Sequence, residues 1–161
     1  MTIVDSGHQT IKPAPIRRRL EVKAPLERTF DTFVKRMGEW WPREHSLAQG
    51  KIRTDVVIEP KAGGSWFETM SDGEIIRWGH VRAWDRPNRV LLVWQLTMEF
   101  KYDPDFETEV EVKFTAEGDV PVVEFEHRDL ERFGETAVQT AEMMDQGWGQ
   151  ILGEFVAAAE R

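Results

Sequence analysis

The sequence predicts an α+β fold in which an antiparallel sheet of about seven strands packs against one long C-terminal helix. Three observations carry this. Between residues 52 and 127, runs of strand character alternate with clusters of turn residues at short intervals, the pattern of consecutive hairpins. From Thr136 to Glu160 the apolar period changes from two to three and four, the pattern of a helix. A chain of 161 residues, 40% of them hydrophobic, can bury one sizeable core, so a single domain is expected over residues 16–161.

Residues 1–15 mix Gly7, Pro13 and Pro15 with polar residues and show no periodicity, so they read as a flexible N-terminal arm. A first strand follows, with Ile16, Arg18, Leu20 and Val22 on one face and Arg17, Arg19, Glu21 and Lys23 on the other. Pro25 suits the first turn of a helix, and Leu26, Phe30, Phe33, Val34 and Met37 recur at helical spacing up to Gly38. Residues 39–50 are irregular because Pro42 interrupts them and Gly50 closes them; a short helical turn carrying Trp40 and Trp41 is expected there.

Six further strands are expected near 52–59, 64–70, 74–84, 89–100, 107–116 and 120–127. Gly63-Gly64, Ser71-Asp72-Gly73, Asp85-Arg86-Pro87-Asn88, Asp103-Pro104-Asp105 and Glu117-Gly118-Asp119 punctuate them. In the closing helix, Val138, Met143, Met144, Trp148, Ile151, Leu152, Phe155 and Val156 form a long apolar stripe. Gly147, Gly149 and Gly153 weaken that helix by roughly 1 kcal/mol each relative to alanine, so close packing against a curved sheet is expected to account for them.

Composition excludes several functions. Twenty-nine acidic against 21 basic side chains give a net charge of −8, which repels nucleic acid and anionic lipid. With no cysteine there is neither a disulfide framework nor a thiolate metal site, and a cytoplasmic location is expected. His8, His45, His80 and His127 lack metal-binding spacing, so no metal and no other cofactor is implied. Gly63-Gly64 precedes no Lys-Ser/Thr and no helix, which argues against a phosphate loop, and no G-x-S-x-G supports a hydrolase. No apolar run approaches the roughly 20 residues of a membrane span. Seven Trp, nine Phe and six Met are an unusual supply of large apolar side chains for a core or an apolar cavity.

From Arg18 to Arg161 the chain resembles the SRPBCC (START-like, pollen-allergen-like) superfamily, and within it homologues of the heat-shock protein 90 ATPase activator. The likeness rests on VKAPLERTFDTF, PKAGGSWFE, WGHVRAWDRPNRVLLVWQL and DQGWGQIL, in that order. It implies the helix-grip fold, a curved antiparallel sheet wrapped around a long C-terminal helix, with a cavity for apolar or amphipathic small molecules between them. A few members are cyclases or other enzymes. A chaperone partner is also implied, although the eukaryotic co-chaperone carries an additional N-terminal domain that residues 1–15 are too short to supply.

Taking the more apolar parity of each strand as inward nominates Ile52, Thr54, Val56 and Ile58; Trp66, Glu68 and Met70, or else Phe67 and Thr69; Val90, Leu92, Trp94 and Leu96; Val110, Val112 and Phe114; and Val123, Phe125 and His127. The strand at 74–84 is ambiguous, with Trp78, His80, Arg82 and Trp84 on one parity. The candidate ligand-binding residues are Trp40, Trp41, Val56, Trp66, Glu68, Trp94, Val112, Phe114, Phe125, His127, Met144, Trp148 and Leu152. The same residues would also serve as a solid core, since interiors are close-packed.

No residue is nominated as catalytic, although His127, Glu68 and Arg18 are the polar groups expected to face inward. The first reading is a small-molecule binding protein, monomeric or homodimeric. A cyclase-like enzyme using those polar groups is the second, and a chaperone or regulator interaction module is the third.

Overall fold

The computed structural model describes residues 12–47 and 50–161. The arm expected over 1–15 lies outside the described residues up to Ile11, and Lys12 to Pro15 belong to no helix or strand. Strand β1 (Ile16–Glu21) leads into helix α1 (Leu26–Lys35) and the one-turn helix α2 (Met37–Trp40), and a 3-10 turn spans Arg43–His45. Then come β2 (Arg53–Ile58), β3 (Ser65–Met70), β4 (Ile75–Asp85), β5 (Arg89–Trp94), β6 (Thr108–Glu117) and β7 (Val120–Arg128). A 3-10 segment, Leu130–Thr136, feeds the 24-residue helix α3 (Ala137–Glu160).

The seven strands form one antiparallel sheet in the order β1-β7-β6-β5-β4-β3-β2. It curls round α3, whose Trp148 touches Trp94 of β5 and Phe125 of β7 with ring centroids 5.8 and 4.5 Å apart. This is the helix-grip fold that the element order predicts. The end of the interior beneath α1 and α2 is packed solid by aromatic edges: Phe33 meets Phe155 at 5.2 Å, Phe30 meets Phe114 at 5.0 Å and Trp40 meets Phe155 at 5.4 Å.

Several expectations are corrected, each for a local reason. The first helix stops at Lys35 rather than Gly38, because Arg36 leaves helical geometry (φ −119°) before α2 starts. The fourth hairpin strand ends at Trp94 rather than residue 100; beyond it the chain makes a single bridge, Leu96 to Tyr102, and turns at Thr97–Lys101. The helical turns over 130–136 carry no apolar period and were not expected.

In β2 a register shift between Arg53 and Asp55 inverts the parity at its start: Ile52 is 67% exposed, Thr54 is exposed, and Arg53 is buried instead. In β4 two shifts resolve the ambiguity in favour of neither parity, so Trp78 and Val81 both point into the core. Gly79 sits between them, paired with Trp66 on one side and Trp94 on the other. A Cβ there would lie 1.8 Å from the Val93 carbonyl oxygen, so only glycine fits. Of the three glycines in α3, only Gly149 meets a close neighbour, the Arg18 guanidinium of β1, and Gly153 has open space beside it.

The outer face of the sheet carries an ion network. Arg128 donates to Glu109, Glu111 and Glu126, while Arg82, Arg89 and Arg17 hold the same carboxylates from their other sides. Burial opposes ionisation of these three glutamates, and their guanidinium partners outweigh it, so all three titrate below the usual carboxylate range. Glu111 and Glu126 stand directly opposite one another across β6 and β7, a repulsive pair without Arg128 between them. Arg128→Gln is expected to cost about 1–2 kcal/mol by chemical denaturation at low ionic strength, and the cost should shrink at about 1 M salt. A salt-independent loss would contradict the electrostatic account.

Candidate functional site

At the end of the interior opposite the phenylalanine cluster, sheet and helix do not close on each other. A cavity of about 500 Å³ remains between α3, the hairpin beyond β5 and the segment after α2. Four tryptophans wall it: Trp41, Trp78, Trp94 and Trp148. Trp41 packs on Trp78 at 4.8 Å and stands edge-on to Trp148 at 5.5 Å. Leu96, Met144 and Ile151 add aliphatic surface, and Glu44, His45, Glu99, Phe100, Lys101 and Met143 lie at the mouth. Gly147 also borders the space, and a Cβ there would meet nothing within 4 Å, so this helical glycine widens the cavity rather than packing on the sheet.

The wall is held by two buried charges behind it. Arg53, 4% exposed, donates to the carbonyls of Trp41 at 2.6 Å and Pro42 at 3.2 Å, fixing the chain as it leaves α2. Burial lowers the Arg53 pKa, and the nearby Glu68 carboxylate works in the opposite sense. Glu68 is fully buried; it accepts from Ser46 Oγ at 2.8 Å, from the Leu47 amide at 3.4 Å and from Trp78 Nε1 at 2.7 Å. One carboxylate therefore positions two sides of the cavity, the 46–47 backbone and the Trp78 indole, and its hydrogen bonds offset the cost of burying it.

Of the residues nominated from sequence, Trp41, Trp94, Met144 and Trp148 lie on the cavity wall. Trp40, Val56, Trp66, Glu68, Val112, Phe114, Phe125, His127 and Leu152 do not; each is at most 5% exposed and packs into the core around or beyond the cavity. His127 sits behind Trp94 and Trp148. Its Nδ1 accepts from Trp148 Nε1 at 3.1 Å, which leaves the proton on Nε2, and that atom lies 2.8 Å from Thr108 Oγ1. Burial lowers its pKa to about 3, so the ring is neutral at ordinary pH and both nitrogens are engaged within the protein.

Arg18 reaches from β1 to α3, donating to the Asp145 carboxylate at 2.7 Å and its carbonyl at 2.9 Å. The three inward polar groups expected from alternation thus all serve the fold. Trp84, placed by sequence near an exposed turn, is half-buried and stands edge-on to Phe30 at 5.3 Å, away from the cavity.

The sequence reading named Leu96 as inward without placing it among the candidate ligand-binding residues, and it did not nominate Trp78, His45, Phe100, Gly147 or Ile151 for the site. Trp78 belonged to the ambiguous strand, His45 lies in a segment without periodicity, and Phe100 ended a strand expected over 89–100 that stops at Trp94. Among the described residues no cluster of three or more His, Asp or Glu side chains could hold a metal ion, and no helix is long and apolar enough to cross a membrane.

Comparison with known proteins places this geometry in context. The family described as "Activator of Hsp90 ATPase homolog 1-like protein" matches residues 23–160. Among solved structures, the anthrahydroquino-γ-pyrone synthase Txn09, solved in complex with a compound abbreviated SUM, is 31% identical; the alignment covers 91% of this chain and 97% of that one, with a TM-score of 0.64. The self-sacrificing resistance protein CalC from Micromonospora echinospora is 29% identical over 90% of this chain and 93% of its own, with a TM-score of 0.65. Protein MLL2253 from Mesorhizobium loti, 15% identical over 89% and 95% of the two chains with a TM-score of 0.64, shares the fold. Comparison with curated protein sequences returns no match.

Proposed function

The chain belongs to the family of Activator of Hsp90 ATPase homolog 1-like proteins, and from that premise we propose that it binds a hydrophobic or amphipathic small molecule in the cavity between the sheet and α3. The observation that carries the reading is the tryptophan-walled space of about 500 Å³, within the size range of small-molecule sites. Flat aromatic walls favour a planar apolar occupant, by offset and edge-to-face stacking.

An apolar aromatic probe such as naphthalene is expected to quench tryptophan fluorescence. Trp148→Ala should weaken its binding about tenfold or more, and Trp84→Ala should change it little, because Trp148 faces the cavity and Trp84 packs on Phe30. Equal effects from both would contradict the assignment, and so would a probe that fails to bind. Native mass spectrometry of freshly purified protein, followed by extraction, is the route to the natural occupant.

An enzymatic reading draws support from Txn09, described as a synthase and matching nearly its whole length. In this chain the titratable groups available for it are those at the mouth, Glu44, His45, Glu99 and Lys101. Conversion of a bound aromatic substrate, lost in His45→Phe or Glu44→Gln, would favour it over simple binding. The family's description also carries a third reading, a chaperone-regulating partner, which a pull-down of a heat-shock ATPase with purified protein separates from both.

A further inference from the structure

The turn at the mouth of the cavity uses a residue that its geometry disfavours. Beyond β5 the chain folds back through the bridge between Leu96 and Tyr102, with the Thr97 amide donating to the Lys101 carbonyl at 2.9 Å and the Phe100 amide to the Thr97 carbonyl at 2.8 Å. In such a three-residue loop the last position is left-handed and ordinarily glycine. Here it is Phe100, with φ 59°. Elsewhere among the described residues positive φ falls to five glycines and to Asp129, whose short polar side chain tolerates it. A bulky phenylalanine in that conformation is an outlier. Its ring gains little from the protein in exchange: Phe100 is 40% exposed and has no aromatic partner among the described residues, yet it borders the cavity.

Helix α3 makes a second exception at the same opening. Gly147 lies one turn after Met143 on the same face of the helix and also borders the cavity, and a Cβ there would meet nothing within 4 Å. Glycine inside a helix lowers its stability, and no close approach of another element requires one here. Gly153 is equally uncrowded, but it lies on the exposed side of α3 and away from the cavity. Met143 is 49% exposed, so solvent reaches the opening on its helix side as well as at Phe100. Departures from local preference are expected at functional sites, where the geometry serves something other than the fold. Two of them, on separate elements, border the mouth of one tryptophan-walled chamber.

We infer that Phe100 is the residue that holds the occupant at the mouth: its ring lies over the outer end of the bound molecule, and the space that Gly147 leaves open admits that end. The inference rests on the cavity-binding reading above and adds the residue that governs release. With the cavity empty, the left-handed Phe100 leaves its ring partly in water. An occupant that reaches the mouth covers the exposed part of the ring, removing apolar area from water and adding a stacked contact outside the four tryptophans.

The test follows binding of 1-aminoanthracene, a planar probe with its own emission, to the full-length protein by stopped flow. Phe100→Gly, which suits the backbone at φ 59°, should speed dissociation about tenfold while changing association less than about twofold, because the lost ring covers the probe only once it is bound. Phe100→Tyr keeps the ring and should release the probe at close to the parental rate. Gly147→Leu favours the helix and fills the space at the mouth, so it should weaken affinity about tenfold while the denaturant midpoint stays at or above the parent's. A residue that served only the fold would move stability and affinity in the same direction. Should Phe100→Gly fold poorly, Phe100→Asn takes its place, since asparagine also tolerates positive φ. Parental release from the glycine variant, a tyrosine variant as fast as the glycine one, or undiminished affinity in Gly147→Leu overturns the inference while the cavity reading stands. A parent that does not bind the probe overturns both.

Discussion

A chain ending at Glu135 is expected to lose its cooperative fold altogether. Helix α3 supplies Met144, Trp148, Ile151, Leu152 and Phe155 to the core, each at most 7% exposed. At about 1.5–3 kcal/mol for each large apolar side chain, their burial contributes on the order of 10 kcal/mol, comparable to the whole stability of a domain this size, about 5–15 kcal/mol. The loss is also positional. Trp148 alone touches Trp41, Trp94, Phe125 and His127, four groups from the segment after α2 and from two strands, and without the whole of α3 the sheet has nothing to curl around. Residues 1–135 should therefore aggregate or persist as a dye-binding collapsed state without a cooperative denaturant transition. A monomeric, cooperatively unfolding 1–135 fragment would show that α3 is an accessory to the sheet and not its core.

What the sequence revealed and concealed follows from the range of the interactions involved. Strand positions were legible because turn chemistry is local: Gly63, Gly73 and Gly118 all take positive φ where hairpins were expected to turn. Helix α3 was legible because its apolar stripe is long. Alternation failed where a bulge shifts parity, as at Arg53 in β2 and on both sides of Gly79 in β4, and nothing local in the sequence marks which residue a neighbouring strand leaves unpaired.

The cavity was legible only in part for a different reason. A period of two separates inside from outside but not one end of the interior from the other. Phe114 and Trp94 are equally inward by that measure, yet Phe114 packs on Phe30 and Phe33 while Trp94 faces the open end. Nor can periodicity find His45, which reaches the mouth from an irregular segment.

The second large effect concerns His127, whose neighbours assign it to the fold. Replacing it with phenylalanine removes the acceptor for Trp148 Nε1, leaving that buried donor unmet, and removes one of two partners of Thr108 Oγ1, which keeps its bond to the Trp94 carbonyl at 3.4 Å. At about 1–3 kcal/mol for an orphaned buried donor, His127→Phe is expected to lower stability by roughly 1–3 kcal/mol. Acid titration supplies a signature that mere overpacking lacks. Burial holds the folded-state pKa at about 3, whereas the unfolded ring titrates near 6.5, so the unfolded chain takes up a proton that the folded one refuses. The resulting stability is fully present above pH ~6.5 and drains away as the pH falls toward about 3. Between pH ~6.5 and ~5 most carboxylates are still ionised, and the parent should lose about 2 kcal/mol from this ring alone. In His127→Phe that slope should be absent, leaving only the steeper loss below the carboxylate range, where Glu109, Glu111 and Glu126 give up their ion pairs. Probe affinity per folded molecule should stay close to the parent's and gain no dependence on pH near 6.5, because the ring lies behind Trp94 and Trp148 and not on the cavity wall. A variant with parental stability and lost affinity would return His127 to the site as a group that touches the ligand.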